Sequence, residues 1–354
     1  MDEDISNVGS WTIGIDLGDQ RSEVCVLDAA GRVRARFTVA TTSRGIEKAL
    51  SRYPGARVVM EVGTHSPWVS RLVEGWGHEA IVANPRRVRL IAESDEKADR
   101  VDAEVLARLG RMDPQLLRPI RHRGEAAQRD RALLTVRDGL VRVRTALINQ
   151  ARGQAKALGL RLPRCSAEGF ARRLRRDGTT ELYPGLPVLV ATIGELTQRI
   201  RALEREIETW CTTRYPETEL LRQVPGVGPI TSLGYVLTLE DPRRFRRSRS
   251  VGAYLGLRTR RRQSGASDPA LRITKAGDPF LRRLLVQSAH YILGPFGPDT
   301  ELRRFGQRLI ARGGRGARKK ALVAVARKLA VLLHRLWITG AVYEPRREPT
   351  AQAA

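Results

Sequence analysis

Cysteine is nearly absent from the chain. Its three residues in 354, Cys25, Cys165 and Cys211, are odd in number, scattered and without metal-ligand spacing. That argues against a disulfide-stapled scaffold or a cysteine metal knuckle and fits a reducing cytoplasm. Cys25 falls in an apolar strand pattern and reads as a small core residue. Long apolar runs are missing too: no stretch nears the roughly 18 residues that span a bilayer. The first residues, Met1-Asp2-Glu3-Asp4, are acidic, unlike a secretory signal. Acids are in short supply overall, 38 Asp+Glu against 63 Lys+Arg, for a formal net charge of +25. So basic a chain is expected to meet a polyanion, with nucleic acid ranking ahead of lipid headgroups.

Hydrophobic residues make up 42% of the chain, enough for two or three packed domains. The charge is uneven. Met1–His65 holds eight Lys/Arg and nine Asp/Glu, whereas Arg243–Arg283 holds thirteen Lys/Arg and only Asp268 and Asp278. The basic face is therefore mostly C-terminal.

Three strands are expected first: Trp11–Leu17, Glu23–Leu27 and Val33–Val39. The third alternates, with Val33, Ala35, Phe37 and Val39 on one face and Arg34 and Arg36 on the other, after a turn at Ala30-Gly31. A short helix follows near Ser43–Ser51, then a buried strand Arg57–Glu61. A helix with Pro67 in its first turn runs to about Glu74. A fifth strand, Glu79–Ala83, ends at Asn84-Pro85, and a helix spans Asp99–Gly110. Three strands followed by alternating helix and strand is the order of a ribonuclease-H-like α/β fold.

Residues 124–160 read as one long helix, with Leu133, Val136, Leu140, Val143 and Leu147 stepping by three and four. A later helix carries a cleaner heptad, Leu189, Ile193, Leu196, Ile200, Leu203 and Ile207, a coiled-coil signature of about three heptads. It reads either as an intrachain helical hairpin or as an oligomerisation arm. From Leu220 onward helices are expected at Ser248–Leu255, Pro279–Leu293, Glu301–Ala311 and Ala317–Trp337. Arg312-Gly313-Gly314-Arg315-Gly316 forms a basic hinge, and a disordered tail follows Val342.

Four carboxylates stand out. Asp16 closes the apolar run Trp11–Ile15, Glu61 closes Val58–Met60, and Asp99 and Asp102 share one helix face at i and i+3. Each close pair of like charges costs about 4 kcal/mol at 4 Å and an effective dielectric of about 20. Mg²⁺ or Mn²⁺ would relieve that repulsion, since hard cations take oxygen ligands, and such ions serve phosphoryl transfer. By themselves Asp99 and Asp102 also suit an N-cap and a first-turn acid favoured by the helix dipole. His65, close to Glu61, reads either as a packing residue or as one that supports a site residue without touching a ligand. Gly14-Ile15-Asp16-Leu17-Gly18 also matches the first phosphate loop of sugar kinases and actin-like ATPases, but the later glycine motifs of those proteins are missing.

Ser264 lies in Arg258-Thr-Arg-Arg-Arg-Gln-Ser-Gly265, on an expected loop. A serine that attacks a phosphodiester needs cations to bind the phosphate and stabilise developing charge, and Arg258, Arg260, Arg261, Arg262, Lys275 and Arg282 are candidates. The bland alternative is a solvated basic loop that holds backbone phosphates. Pro225-Gly226-Val227-Gly228-Pro229 resembles a helix-hairpin-helix turn, whose Gly226 and Gly228 would admit a phosphate to backbone N–H donors. An ordinary glycine turn has the same pattern.

Taken together, Asp16, Glu61, Asp99 and Asp102 resemble the Asp-Glu-Asp-Asp set of the DEDD transposases of bacterial insertion sequences, the family of insertion sequence 110, which are bridge-RNA-guided recombinases. Lys97-Ala98-Asp99-Arg100-Val101-Asp102-Ala103 is similar to the family's Lys-Thr-Asp-Arg-x-Asp-Ala element, with Ala98 at a position that is not a ligand. Val224–Pro229, Tyr254-Leu-Gly-Leu257, Gln263-Ser-Gly265 and Ile273-Thr-Lys-Ala-Gly277 are similar to its C-terminal motifs. The resemblance covers residues 11–340. It implies a Holliday-junction-resolvase-like domain at 1–118, a coiled coil at 119–218 and a mostly α, serine-bearing transposase domain at 219–341, before the tail at 342–354. It also implies Ser264 as covalent nucleophile, Mg²⁺ (or Mn²⁺) on the four acids, double-stranded element and target DNA, and a structured non-coding guide RNA. A homodimer or homotetramer in the bacterial cytoplasm, associated with the nucleoid, completes what it implies.

Three classes of activity compete. One is a recombinase that uses both Ser264 and the acids. Another is a metal-dependent nuclease or junction resolvase in which water attacks and Ser264 is idle. The third is a non-catalytic nucleic-acid-binding protein, which the intact acids argue against.

Overall fold

The computed structural model describes residues 11–84, 99–265, 267 and 271–346. The Lys97-Ala98 half of the acidic motif, the side chain of Asp99 and the tail beyond Arg346 lie outside the described residues. The chain divides into two compact units, Met1–Glu125 and Ala126–Ala354.

The first unit is mixed α/β. Its strands are β1 (Thr12–Asp16), β2 (Arg21–Leu27), β3 (Val33–Ala40), β4 (Arg57–Glu61) and β5 (Glu79–Ala83), in the sheet order β3-β2-β1-β4-β5. β1–β2 and β2–β3 are antiparallel, while β1–β4 and β4–β5 are parallel. The helices are α1 (Ser43–Leu50), α2 (Ser66–Gly75) and α3 (Asp99–Met112). The period-2 pattern assigns the faces. Ile13, Ile15, Val24, Val58 and Met60 pack with Ile46, Leu50, Val69 and Val73 of α1 and α2. The opposite face, with Cys25, Leu27 and Val59, receives Ala103, Leu106, Ala107 and Leu109 of α3.

Ala103, Ala107 and Gly110 form a small-residue stripe that lets α3 approach Gly14 and Val59 closely. The expected facing of β3 needs one correction. Ala35, Phe37 and Val39 join the α1/α2 side, but Val33 packs with Cys25 and Leu27. An irregularity in register at Val26/Leu27 turns it over, as one extra residue does in a period-2 strand. At the preceding turn Gly31 has φ +78°. The Asp28 carboxylate accepts the N–H groups of Ala30 and Arg32 and pairs with Arg34. Those hydrogen bonds, led by that from Arg32, hold it below the usual carboxylate value.

The second unit is helical: α4 (Glu125–Ala157), α5 (Phe170–Arg176), α6 (Leu186–Thr213), α7 (Thr218–Arg222), α8 (Pro229–Leu239), α9 (Arg249–Tyr254), α10 (Pro279–Ile292), α11 (Glu301–Ala311) and α12 (Ala317–Thr339). α4 and α6 run as an antiparallel hairpin. Leu134 meets Ile207 and Cys211, the Arg144 guanidinium donates to Thr197, and Ile148 to Ala155 pack with Leu186, Val190 and Ile193. Ile193, Ile200 and Ile207 of the heptad are buried within this chain. On α4 the buried stripe is Leu134, Ile148, Ala151 and Ala155, whereas Val136 and Val143 of the expected stripe are exposed. The hairpin spacing favours residues one position round the helix, because charged Arg137 and Arg144 also face α6 and find partners there.

A second core gathers α8 to α12, with Tyr235 donating to the Ala330 carbonyl and His334 fully buried against Ser248 and Pro242. Of residues 342–346, expected in the disordered tail, Tyr343 is partly buried and the other four are exposed. Tyr343 lies against this core, its N–H donates to Gln223, and Pro345 accepts from Glu301. The aromatic ring of Tyr343 supplies burial that a polar tail lacks.

Candidate active site

Asp16 and Glu61 are the last residues of β1 and β4, one step beyond the paired Ile15 and Met60. Neighbouring parallel strands lie about 4.8 Å apart. Strand alternation puts both carboxylates on the face of Gly14 and Val59, the face α3 covers. Both are half-buried. The run of α3 follows from its contacts. Gly110 lies on Val59 and its carbonyl accepts from Arg57, while Arg111 reaches the Ala29 carbonyl. Its C-terminus is therefore at the Thr12–Arg57 end of the sheet. Its first turn, with Asp99 and an exposed Asp102, points toward the end where Asp16 and Glu61 stand. In the next turn Glu104 ties α3 to the sheet by an ion pair with Arg36 of β3 and pairs within the helix with Arg108. The Arg36 hydrogen bond, followed by that from Arg108, lowers its carboxyl below the usual range. Among the described residues, which omit the Asp99 side chain, no three His, Cys, Asp or Glu groups are already drawn together as a metal site.

Glu23 went unnoticed in the sequence. It pairs directly across from Asp16 in the β1–β2 ladder, on the same face, and accepts from Thr38 Oγ1 at 2.6 Å. Asp16, Glu23, Arg21 and Thr38 line one small cavity. The signal was the antiparallel return of the chain through Gly18, which fixes which residue faces Asp16. His65 is a packing residue, as expected. Its Nδ1 accepts from the Trp68 indole, so its Nε2 carries the proton in the neutral ring and faces Asp19 at 3.4 Å.

Ser264 belongs to the second unit. Residues 256–264 pair back on 267 and 271–275 as a narrow antiparallel ribbon. Arg260 N–H donates to the Arg272 carbonyl, Thr274 to Arg258, and Lys275 to Gly256. At its tip Ser264 and Ser267 exchange backbone hydrogen bonds, and Ser264 is exposed. Arg258, Arg260, Arg261, Arg262 and Lys275 are exposed along the ribbon. Arg282 is turned inward instead. Its Nη1 donates to the Leu255 and Ala276 carbonyls and holds the ribbon's root. Gly226, at φ +87°, packs on Ser288 and Tyr291 of α10, whereas Gly228 borders an open cleft and precedes α8 without a side-chain cap.

Residues 13–158 match a family profile described as a transposase, the DEDD transposase of IS110. Residues 218–301 match one described as transposase of the IS116/IS110/IS902 family. The chain is 28% identical over 336 residues to a transposase for insertion sequence element IS1111A of Coxiella burnetii, covering 91% of this chain and 88% of that one. It is 31% identical over 287 residues to a transposase for insertion sequence element IS1328 of Yersinia enterocolitica, covering 78% and 82%. It is 29% identical over 345 residues to a probable family 20 transposase of Pseudomonas aeruginosa, covering 94% and 98%. These matches define a transposase, an enzyme that acts on DNA. Within that class the chain belongs to the IS110 family of insertion-sequence transposases. Among the described residues, no helix is long and apolar enough to cross a membrane.

Proposed function

We propose that this transposase cleaves and exchanges DNA strands through a covalent Ser264–DNA link, with Asp16, Glu61, Asp99 and Asp102 holding Mg²⁺ or Mn²⁺. One observation carries the reading: Asp16 and Glu61 end adjacent parallel strands on the sheet face covered by α3, whose first turn carries the other two acids. The all-carboxylate donor set fits a hard divalent cation. When bound, the ion supplies positive charge to a phosphate at this edge. The fold that places these acids is read as ribonuclease-H-like, ending near residue 118. A helical hairpin follows to about 218, and a serine-bearing domain reaches about 341.

Ser264 Oγ attacks the phosphorus. The P–O3′ bond breaks, the phosphate stays joined to Ser264 through its 5′ strand, and a 3′-hydroxyl leaves. Attack of another 3′-hydroxyl on the phosphoserine reverses the step and restores Ser264, so bond energy is conserved. The exposed arginines of the ribbon offset phosphate charge in both directions. The reading assigns activation to the metal and these arginines rather than to a Ser–His pair; His334 is buried on Ser248 and Pro242. The family resemblance extends the reading to a structured guide RNA that pairs with donor and target, to a homo-oligomer, and to a nucleoid-associated enzyme of the cytoplasm.

Denaturing electrophoresis after incubation with element-end DNA and Mg²⁺ tests the proposal. A protein–DNA adduct lost in Ser264→Ala supports it. Recombination by Ser264→Ala would place the nucleophile elsewhere, and free ends without adduct would make the protein a nuclease using activated water.

A further inference from the structure

The second unit carries a groove that the reading above leaves unused. A cleft of about 870 Å³ lies between the Leu271–Lys275 limb of the ribbon and the outer face of α12. Its floor is apolar, formed by Leu257, Ile273, Phe305, Val323, Ala324 and Val331. Its rim is cationic: Arg249, Arg272, Lys319, Lys320 and Arg327 are exposed, and among the described residues none of these five pairs with a carboxylate. Lys328, also on this rim, lies 4.9 Å from the centre of the Phe305 ring and pairs with Glu301. A second cavity of about 760 Å³ adjoins it and shares Arg272, Lys319 and Lys320. Its one apolar side chain is Leu322, and it adds Arg315, Arg318 and His290.

The two cavities differ in the way the two halves of a nucleotide differ. Phosphates want cations and no floor. A base presents a flat apolar surface and stacks on apolar or aromatic side chains beside cations. A double helix keeps its bases stacked inside and offers only its backbone to such a rim. We propose that this groove binds an unpaired polynucleotide strand, with at least one base seated on the Phe305–Val323–Ala324 floor and its phosphates at Arg272, Lys319, Lys320 and Arg315. A solvated cationic face that met only duplex backbone would have no use for six apolar residues inside its rim. The size of the cleft lies within the range of about 300–1,000 Å³ typical of small-ligand pockets. The inference deepens the proposed function and rests on it only in taking a polynucleotide as ligand; it uses neither Ser264 nor the four acids.

The experiment titrates the full chain with 12-nucleotide probes carrying a central 2-aminopurine: single-stranded DNA, single-stranded RNA, and the DNA duplex. The base reports insertion by its fluorescence, and anisotropy of an end label gives affinity. Ala324→Trp fills the cleft without changing charge. It should weaken single-strand binding about tenfold, the scale of one stacked base, abolish the 2-aminopurine change and leave duplex affinity within about twofold. Lys319→Glu/Lys320→Glu should weaken all three probes, since it removes phosphate contacts. The stronger of the DNA and RNA arms names the strand that the groove takes. Single-strand affinity and fluorescence unaltered by Ala324→Trp overturn the proposal, and so does a change confined to oligomeric mass, which would mark the groove as a protein contact. Should circular dichroism show Ala324→Trp unfolded, Phe305→Leu, which removes the ring from the floor without changing charge, takes its place with a like criterion: selective loss of single-strand binding. Failure here leaves the Ser264 adduct untouched, so the two readings fall separately.

Discussion

Gly14 of β1 and Ala103 of α3 meet backbone to backbone. A Cβ on Gly14 would lie 1.9 Å from the Ala103 carbonyl oxygen and 2.7 Å from the Ala107 nitrogen. No side chain fits there, so the seating of α3, and with it the position of Asp102, depends on this glycine. Gly14→Ala should destabilise the first unit by about 1–3 kcal/mol or more, the usual scale of overpacking. Urea denaturation followed by tryptophan fluorescence measures it. Strand transfer should fall even at temperatures where the variant is folded. An unchanged midpoint with full activity would show that α3 does not rest on β1 in this way.

The acids should separate from the basic surface in their effects. Asp102→Asn removes a donor at an exposed position and no cation. It should abolish strand transfer and weaken Mn²⁺ binding measured by paramagnetic resonance. RNA affinity should stay within about twofold, because no phosphate contact is lost. Strand transfer at the parental rate would remove Asp102 from the site.

Binding through the ribbon should be strongly salt-dependent. With Arg258, Arg260, Arg261 and Arg262 exposed together, several phosphates would be neutralised at once. Affinity for DNA should then fall by orders of magnitude between about 50 and 200 mM salt. Replacing Arg260 and Arg262 by Ala should flatten the slope of log affinity against log salt by about two. A slope identical to that of the parent would place the interface elsewhere.

A histidine sets an acid limit for the first unit. His122 shares a hydrogen bond of 2.8 Å with Ser66 Oγ. Burial, with Arg71 and Arg123 adding repulsion, holds its imidazole below the ordinary value. The folded state therefore keeps the ring neutral where the unfolded chain, titrating near about 6.5, binds a proton. The stability linked to this group is complete above that value and is lost as pH falls below it. Burial acts in the same direction on His78. The melting temperature should drop between pH 7.5 and 5.5, and His122→Asn should lessen the drop. An equal drop in parent and variant would remove His122 as the cause.

The heptad of α6 makes a different prediction from the one its sequence invites. Ile200 is 1% exposed within a single chain, so Ile200→Asp should unfold the α4–α6 hairpin rather than release folded monomers. Light scattering and circular dichroism together decide: a folded monomer with native helicity would mean that Ile200 serves a contact between copies.

Much of this was legible beforehand because periodicity is a local property. Arg57–Glu61, Glu79–Ala83 and Glu301–Ala311 fall where the alternation and the turn residues put them, and the other strand ends shift by two residues or fewer. What stayed hidden depends on pairing. Glu23 opposes Asp16 only because of how β2 folds back, and Val33 changes face only because of a register irregularity. The short helix Phe170–Arg176 was missed: seven residues give too few turns for a period to show. The choice between Val136 and Leu134 as the inward residue of α4 likewise waits on its partner, since both belong to apolar stripes of equal merit along the helix.

Gly256 and Gly277 also lean on one another's strands. Each has positive φ, and a Cβ on either would strike backbone, Ala276 for Gly256 and the Tyr254 carbonyl for Gly277. The motifs Tyr254–Leu257 and Ile273–Gly277 are thus two halves of one clasp that closes the root of the ribbon, with Arg282 as its pin. A segment closed so firmly at its base can vary at its tip, because lengthening a loop whose ends are already joined adds little entropy: about 0.6 kcal/mol per doubling. Length added beyond Gly265 would therefore leave the clasp and the helices beneath in their packing. Variation at the ribbon's end then needs no redesign of the body that carries it.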